Sequence, residues 1–488
     1  MDLAQYRREL KNYHAAREKN RLEKYLGAAE TIPTAAIAER YSDLFSASSV
    51  SDLEKSLANA DELTETETKA RRNLLNISRL GFLQNQAKEI SDEYENCRQS
   101  TRVSFQNENL SFPEAFSKIQ TEETAILRRE IYARLSEARN SCADLFLEKF
   151  KIFHENAGKI GFENYRKLFA EITGIDFEIF GQTVEKFLAA TDETYFKSLS
   201  EIFPDEKSPH LADFYFRRKQ LERNEIFNGK KLPVFYRLLL ENFNFQPEKI
   251  TNARLLETSA EKQTSVFRPD FPLPEVYFAY PARGGSAAFI EFLKAFGKAQ
   301  QAAWTSADLA NRFPEFVFSP DAVLGEAYGF LFQSLLADES FLRLNFGLWN
   351  EKLTGKIAAE NKFFLLFEIR RNALRFLFEL KFHVSLNAEI AREFVEVWTQ
   401  NLGFQASETN VLFQLSEDFA SLKSLRAAQF AFGLKEYLRS RYDFDWWTKR
   451  AAFEELIDFW NTAERYKAEE MARMIGFEMS FDLMKEIK

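Results

Sequence analysis

The residues able to carry acid–base or ligand chemistry in this chain are few and scattered. His14, His154, His210 and His383 are the only imidazoles among 488 residues. No two stand three or four positions apart, the spacing that places two side chains on one helical face. Cys97 and Cys142 are the only cysteines and lie too far apart for a local metal knuckle. His210 and Asp213 sit at i, i+3, but no candidate nucleophile accompanies them, and at a helix start such a pair reads as a cap or a surface pair. His383 ends a helical stretch without an evident partner and reads as structural. Gly284 and Gly285, between a strand and a helix, carry only a fragment of an anion-binding fingerprint. A pair of amines is more distinctive. Lys294 and Lys298 lie one helical turn apart, Ala295 follows the first, and Glu291 precedes it by a turn. The lysines either point to water or form a charged site. A buried amine with a lowered pKa would open carbonyl chemistry.

The surrounding stretch, Phe271 to Tyr328, contains Y-P-A-R-G-G-S-A-A-F-I-E-F-L-K-A-F-G-K-A-Q-Q-A-A-W-T-S and then L-G-E-A-Y-G-F-L-F. It resembles the zinc-site region of the thimet oligopeptidase/oligoendopeptidase F family of metallopeptidases. There a strand and a Gly-containing turn lead into a helix bearing H-E-x-x-H, and a later helix supplies a Glu. Two His at i, i+4 bind zinc through neutral imidazoles, and the Glu takes a proton from zinc-bound water. On that pattern Lys294 replaces the first His, Ala295 the general base and Lys298 the second His, while Glu326 keeps the third-ligand position. The resemblance therefore implies loss of the family's zinc and no cofactor. It also implies a role for the lysines: two ammonium groups standing in for the metal charge, with Lys298 pairing to Glu326 and Glu291 balancing the second charge. The alternative is an active metallo-oligopeptidase with a composite site of Glu326 and displaced histidines such as His210 or His383.

The resemblance spans roughly residues 20 to 480 and is most specific between Thr264 and Ala337. It continues in F-E-I-R-R-N-A-L-R-F-L-F-E-L-K-F-H and Y-L-R-S-R-Y-D-F-D-W-W. Active relatives place tyrosines late in the chain to bind the oxyanion, but the matching stretch here, Phe419 to Arg426, has none. The implied fold is mainly α: a large two-lobed, oligoendopeptidase/neurolysin-like arrangement with a deep cleft and a small sheet beside the former active-site helix. Residues 1–205 would form the N-terminal helical lobe and 206–488 the peptidase-like lobe, parted near Pro204 and Pro209. The implied function is that of a non-catalytic homologue binding a peptide or protein in its cleft, with association with an active relative as a further role. Tyr277, Tyr280, Gly284 and Gly285 are the candidate peptide contacts, because a sheet edge can pair with an extended peptide without a metal.

Composition narrows the partners. A net charge of -9 and a pI near 5.4, with no basic block, argue against nucleic acid. No apolar run reaches membrane-spanning length and the first residues lack an apolar signal segment, so the expected location is cytoplasmic. Two cysteines fit a reducing compartment. The 51 Phe recur at helical spacing, as in Phe363, Phe364, Phe367, Phe376 and Phe378, which marks core packing.

The pattern elsewhere is helical. A first helix runs from near Asp2 to Leu26 and ends at Gly27. Ser51 and Glu54 suggest a capping box. Long helices are expected from Glu65 to Phe105 and, after a loop at Asn107 to Pro113, from Thr121 to about Phe150. Short strands fall at Ser265–Phe267 and Val276–Ala279, either side of Pro272 and Pro274. Helices follow at Asn361–His383, Ala388–Gln400, Leu422–Arg441 and from Ala451 to the end.

Overall fold

The computed structural model describes residues 2–28, 32–58, 63–204, 209–219, 221–243, 253–260, 262–273, 275–386, 390–405 and 412–487. The expected boundary near residue 205, Pro274 and the start of the Ala388 helix lie outside them. Among the described residues there are twenty-one α-helices, a two-stranded hairpin and a three-stranded sheet. This is the mainly α architecture that the sequence implies. One buried apolar cluster, rich in phenylalanine, runs from Tyr6 to Ile487. Phe363, Phe364, Phe367, Phe376 and Phe378 all belong to it.

Local chemistry accounts for most helix ends. Leu3–Leu26 begins where the Asp2 carboxylate accepts from Ala4 and Gln5, and stops at Gly27 in the left-handed region (φ 79°). The proposed Ser51–Glu54 box does not form. Ser51 lies inside the Ala47–Ala58 helix, and the Ser46 hydroxyl caps that helix by accepting from Ser49 N. A capping box does form between Ser111 and Glu114.

The expected Glu65–Phe105 helix is three elements. Glu65–Gln86 and Lys88–Ser100 meet at Ala87. The chain then turns into a hairpin of β1 (Val103–Phe105) and β2 (Glu108–Leu110), with Gln106 and Asn107 at positive φ. Its alternating Val103 and Phe105 are buried with Ser104 out, a period of two hidden behind a long helical pattern. The next expected helix divides at Ser141–Cys142 into Ala125–Asn140 and Ala143–Lys159. The C-terminal region after Arg450 is likewise broken, into Arg450–Trp460, Ala468–Met474 and short 3₁₀ turns.

The cysteines differ from expectation. Cys97, late in the Lys88–Ser100 helix, and Cys142, at the start of the Ala143–Lys159 helix, are joined by a disulfide with Cα atoms 6.0 Å apart. Neither is a free thiol, so the cysteine count no longer argues for a reducing compartment. No helix of the described residues is long and apolar enough to cross a membrane.

The sheet adds β3 (Ala253–Thr258), which the sequence reading missed, to β4 (Ser265–Phe267) and β5 (Val276–Pro281). The order is β3–β5–β4, with β3 parallel and β4 antiparallel to β5. From β5 the chain passes through Gly284 and Gly285 into the Ser286–Trp304 helix. That helix packs on Leu324–Gln333, which packs in turn on Ala420–Tyr442. The 35-residue Glu351–Ser385 helix packs on Ala420–Tyr442 and on Phe177–Ile202.

Glycine permits the closest of these contacts. A Cβ on Gly297 would stand 2.2 Å from Tyr328 O, and one on Gly329 would stand 2.9 Å from Lys294 O. Gly→Ala inside a helix ordinarily stabilises by about 1 kcal/mol. Here the sign reverses: Gly297→Ala should destabilise by about 2 kcal/mol or more, because backbone must move to admit the methyl. Urea unfolding of the single variant measures this, and an unchanged midpoint would contradict the packing.

Candidate functional site

Lys294, Ala295 and Lys298 lie in the middle of Ser286–Trp304, and Glu326 lies in the first turn of Leu324–Gln333. Lys298 Nζ donates to Glu326 Oε1 at 2.5 Å. Lys294 Nζ donates to Glu368 Oε1 at 2.8 Å and stands 3.6 Å from Glu326 Oε2. Glu368 Oε2 accepts from Gln333 Nε2 at 2.9 Å and faces Arg218 at 3.6 Å. The result is a row of alternating charge, Arg218–Glu368–Lys294–Glu326–Lys298, drawn from four helices. Phe330 lies under the Lys294 ammonium, 4.4 Å from ring centroid to Nζ.

The expected Lys298–Glu326 pair is present, but Glu291 does not balance Lys294. It pairs with Arg283 at 2.8 Å, and Glu368 takes its place. Glu368 stands in the F-E-I-R-R stretch, and nothing local to that helix shows which face meets Lys294. Ala295 is buried and carries no polar group.

The electrostatics are those of a closed set of ion pairs. Burial would raise the Glu326 carboxyl, but Lys294 and Lys298 outweigh it and hold it down at about 2. Burial likewise opposes ionisation of Glu368, and Lys294 and Arg218 overcome it to hold that carboxyl at about 2. Lys294 is raised, since Glu368 and Glu326 together exceed the cost of burial. Lys298 is lowered by burial and by Lys294 and Lys423, against the pull of Glu326. Behind the row, buried Glu464 accepts from Leu324 N, Gly325 N and Gln301 Nε2 at 3.0–3.2 Å, fixing the turn that presents Glu326.

These donors do not fit the zinc of the resembling family. The row holds two carboxylates, each already neutralised by an ammonium, and neither imidazole nor thiolate. Among the described residues no three His, Cys, Asp or Glu side chains converge as a metal site. The histidines are engaged elsewhere. His14 stacks on Phe318. His210 Nδ1 accepts from Ala212 N at 3.0 Å, while Asp213 pairs with Arg128 and Arg129 and not with His210. His383 lies fifteen residues beyond Glu368 on one helix, a rise of about 22 Å.

His383 does have a partner. Its Nδ1 lies 3.1 Å from His154 Nε2, in an aromatic surround of Phe150, Tyr165 and Phe419. Burial lowers both, His154 to about 4 and His383 well below its usual value. The unfolded chain therefore binds these protons first as pH falls. Stability from the pair is complete above pH 6.5 and is lost as pH falls toward 4. Glu315 and Glu464, raised by burial to about 7, act in the opposite sense. The readout is therefore a difference: a His154→Gln/His383→Leu variant should lose less stability than wild type between pH 7 and pH 5 in urea titrations. Parallel curves would contradict this.

The candidate peptide contacts are rearranged. Tyr277 and Tyr280 lie on β5, an inner strand whose Tyr277–Ala279 stretch pairs with β3 on one side and β4 on the other and so leaves no edge there for a further strand, while Tyr280 pairs with Glu257 of β3. Gly285 N already donates to Phe227 O, and Gly284 and Gly285 are packed against Asn224 and Lys219. The outer edge of β4 is covered by the first helix: Arg21 donates to Val266 O, and Glu18 accepts from Arg268 N. Among the described residues no strand pairs with the outer edge of β3, and an extended peptide adds to a sheet at such an edge.

No family model and no curated protein matches the sequence. Solved structures do match in shape. A Bacillus anthracis str. Ames protein assigned as an oligoendopeptidase F superposes with TM-score 0.61 at 14% identity, over 93% of this chain and 81% of that one. The Pyrococcus furiosus carboxypeptidase gives 0.61 at 15%, over 100% and 98%. An M32 carboxypeptidase from Deinococcus radiodurans R1 gives 0.56 at 12%, over 99% and 98%. The chain thus has the helical fold of these peptidases, and identities this low establish the fold alone.

Proposed function

We propose that the protein is a non-catalytic member of this structural class that holds a peptide or an extended protein segment beside the β3 edge and the charged row. The observation that carries the reading is the Lys298–Glu326 pair at 2.5 Å, with Lys294 spanning Glu326 and Glu368. Ammonium groups supply the positive charge that a metal supplies in the resembling family, and they satisfy its surviving carboxylate. Ala295, at the general-base position, has no proton acceptor. Both the metal and the base are therefore missing from the residues that would activate water, while the sheet that can pair with a peptide is retained.

The test is incubation of tag-free protein with a mixed-sequence peptide pool, read by mass spectrometry after size separation. Peptides should co-elute intact, with or without a chelator. Cleavage abolished by the chelator would overturn the reading in favour of a metallopeptidase.

A further inference from the structure

The face of the Glu351–Ser385 helix that carries Glu368 continues with two arginines. Arg371 and Arg375 follow Glu368 by three and seven positions, which keeps them on its face, about 4.5 and 10.5 Å further along the axis. Both reach the same residue. Arg371 Nη2 donates to Gln414 Oε1 at 2.8 Å, and Arg375 Nε donates to Gln414 O. Arg375 Nη1 also donates to Asn372 Oδ1 at 3.2 Å. The Trp398 ring packs on Arg371, 5.9 Å from its centroid to the guanidinium carbon. Two guanidiniums are thus held one helical turn apart by neutral groups.

Neighbouring arginines are treated differently. Arg218 faces Glu368, Arg370 pairs with Asp192, and Arg426 pairs with Asp321 and Glu469. Among the described residues no carboxylate lies within ion-pair distance of Arg371 or Arg375. Glu379, one turn beyond Arg375, accepts instead from Ser416 and Ser421, and Asp418 is paired with Lys423 at 2.9 Å. A guanidinium has five N–H groups. Arg371 uses one on Gln414, and its buried Nε has no acceptor. Arg375 uses two. Both side chains are half-buried. What the pair lacks is an acceptor that also brings negative charge.

We propose that Arg371 and Arg375 bind an oxyanion of the ligand, either the carboxylate of an acidic side chain or a phosphoryl group. The natural ligand rests on the peptide-holding reading above, though the existence of the site does not. The planar fork of a guanidinium matches the oxygens of both groups and forms charge-assisted hydrogen bonds to them. Gln414 positions the two forks, and the ligand supplies the charge that no side chain beside them supplies.

Two measurements test this. The first is thermal unfolding of the full chain in sodium phosphate against sodium chloride at matched ionic strength. Exclusion of phosphate from the protein surface raises every midpoint alike. The rise should be larger by at least about 1 °C in wild type than in Arg371→Gln/Arg375→Gln. Arg450→Gln, at an exposed position on another helix, should respond as wild type does. Should the double variant not fold, Arg371→Gln decides, since it gives up one hydrogen bond to a side chain. An equal rise in all of these proteins overturns the site.

The second uses wild type alone and one acetylated, amidated peptide with Glu, phosphoserine or Gln at its centre. The Gln form should bind at least about tenfold more weakly than one of the others, and that one identifies the oxyanion. Equal binding of all three overturns the proposal and leaves peptide holding intact. A phosphate response that depends on the arginines, with no peptide bound, keeps the site and removes the peptide reading.

Discussion

Purified without a polyhistidine tag and equilibrated with zinc, the wild-type protein should retain less than about a tenth of a metal ion per chain, whereas Lys294→His/Ala295→Glu/Lys298→His should retain about one. The contrast follows from the donor set. In wild type a divalent cation would have to displace two ammonium groups from Glu326, and no imidazole waits behind them. The triple variant places two imidazoles at i, i+4 on a helix that already faces Glu326, the geometry of a three-ligand zinc site with an open position. Adding Glu326→Gln should abolish the gained zinc. One zinc in wild type, lost on Glu326→Gln, would instead show that unseen ligands converge there, and the protein would have to be treated as a peptidase.

The second large effect concerns Lys294. Lys294→Met removes the charge shared by Glu368 and Glu326 from a half-buried site, and should cost about 2–4 kcal/mol at pH 7, somewhat less than for a fully buried pair. The sign with pH is determined. Both carboxyls are depressed, from 4.5 to about 2 in the fold. Their stabilisation is complete above about pH 4.5 and is lost as pH falls toward 2, by up to about 3 kcal/mol for each taken alone. The variant should show a shallower loss across that window. Denaturant titrations at pH 7, 4 and 3 measure both effects. Equal stability at pH 7 would mean that the lysine is merely solvated and that the row does not hold the helices together.

What was legible in advance was whatever local chemistry or a short motif dictates. Asp2 and Gly27 bound the first helix because a cap acts on its own turn. The spacing of Lys294 and Lys298 puts both on one face through helical geometry alone. Pairing of Lys298 with Glu326 came from the resemblance, which placed two distant segments side by side. The β1–β2 hairpin was missed because Val103-Ser-Phe105 is too short to stand against a long helical pattern. β3 was missed because a parallel strand is defined by β5, which lies more than twenty residues later.

By itself the sequence determined a helical, phenylalanine-packed chain whose motif carries no imidazole and no general base, since these are facts of residue type and short spacing. Only the tertiary structure decided that Glu368 rather than Glu291 neutralises Lys294, that Cys97 meets Cys142, that His383 meets His154, and that β5 is an inner strand. Each of these joins residues tens to hundreds of positions apart. Periodicity shows that a face is buried, but the packing of other helices decides what lies across from it.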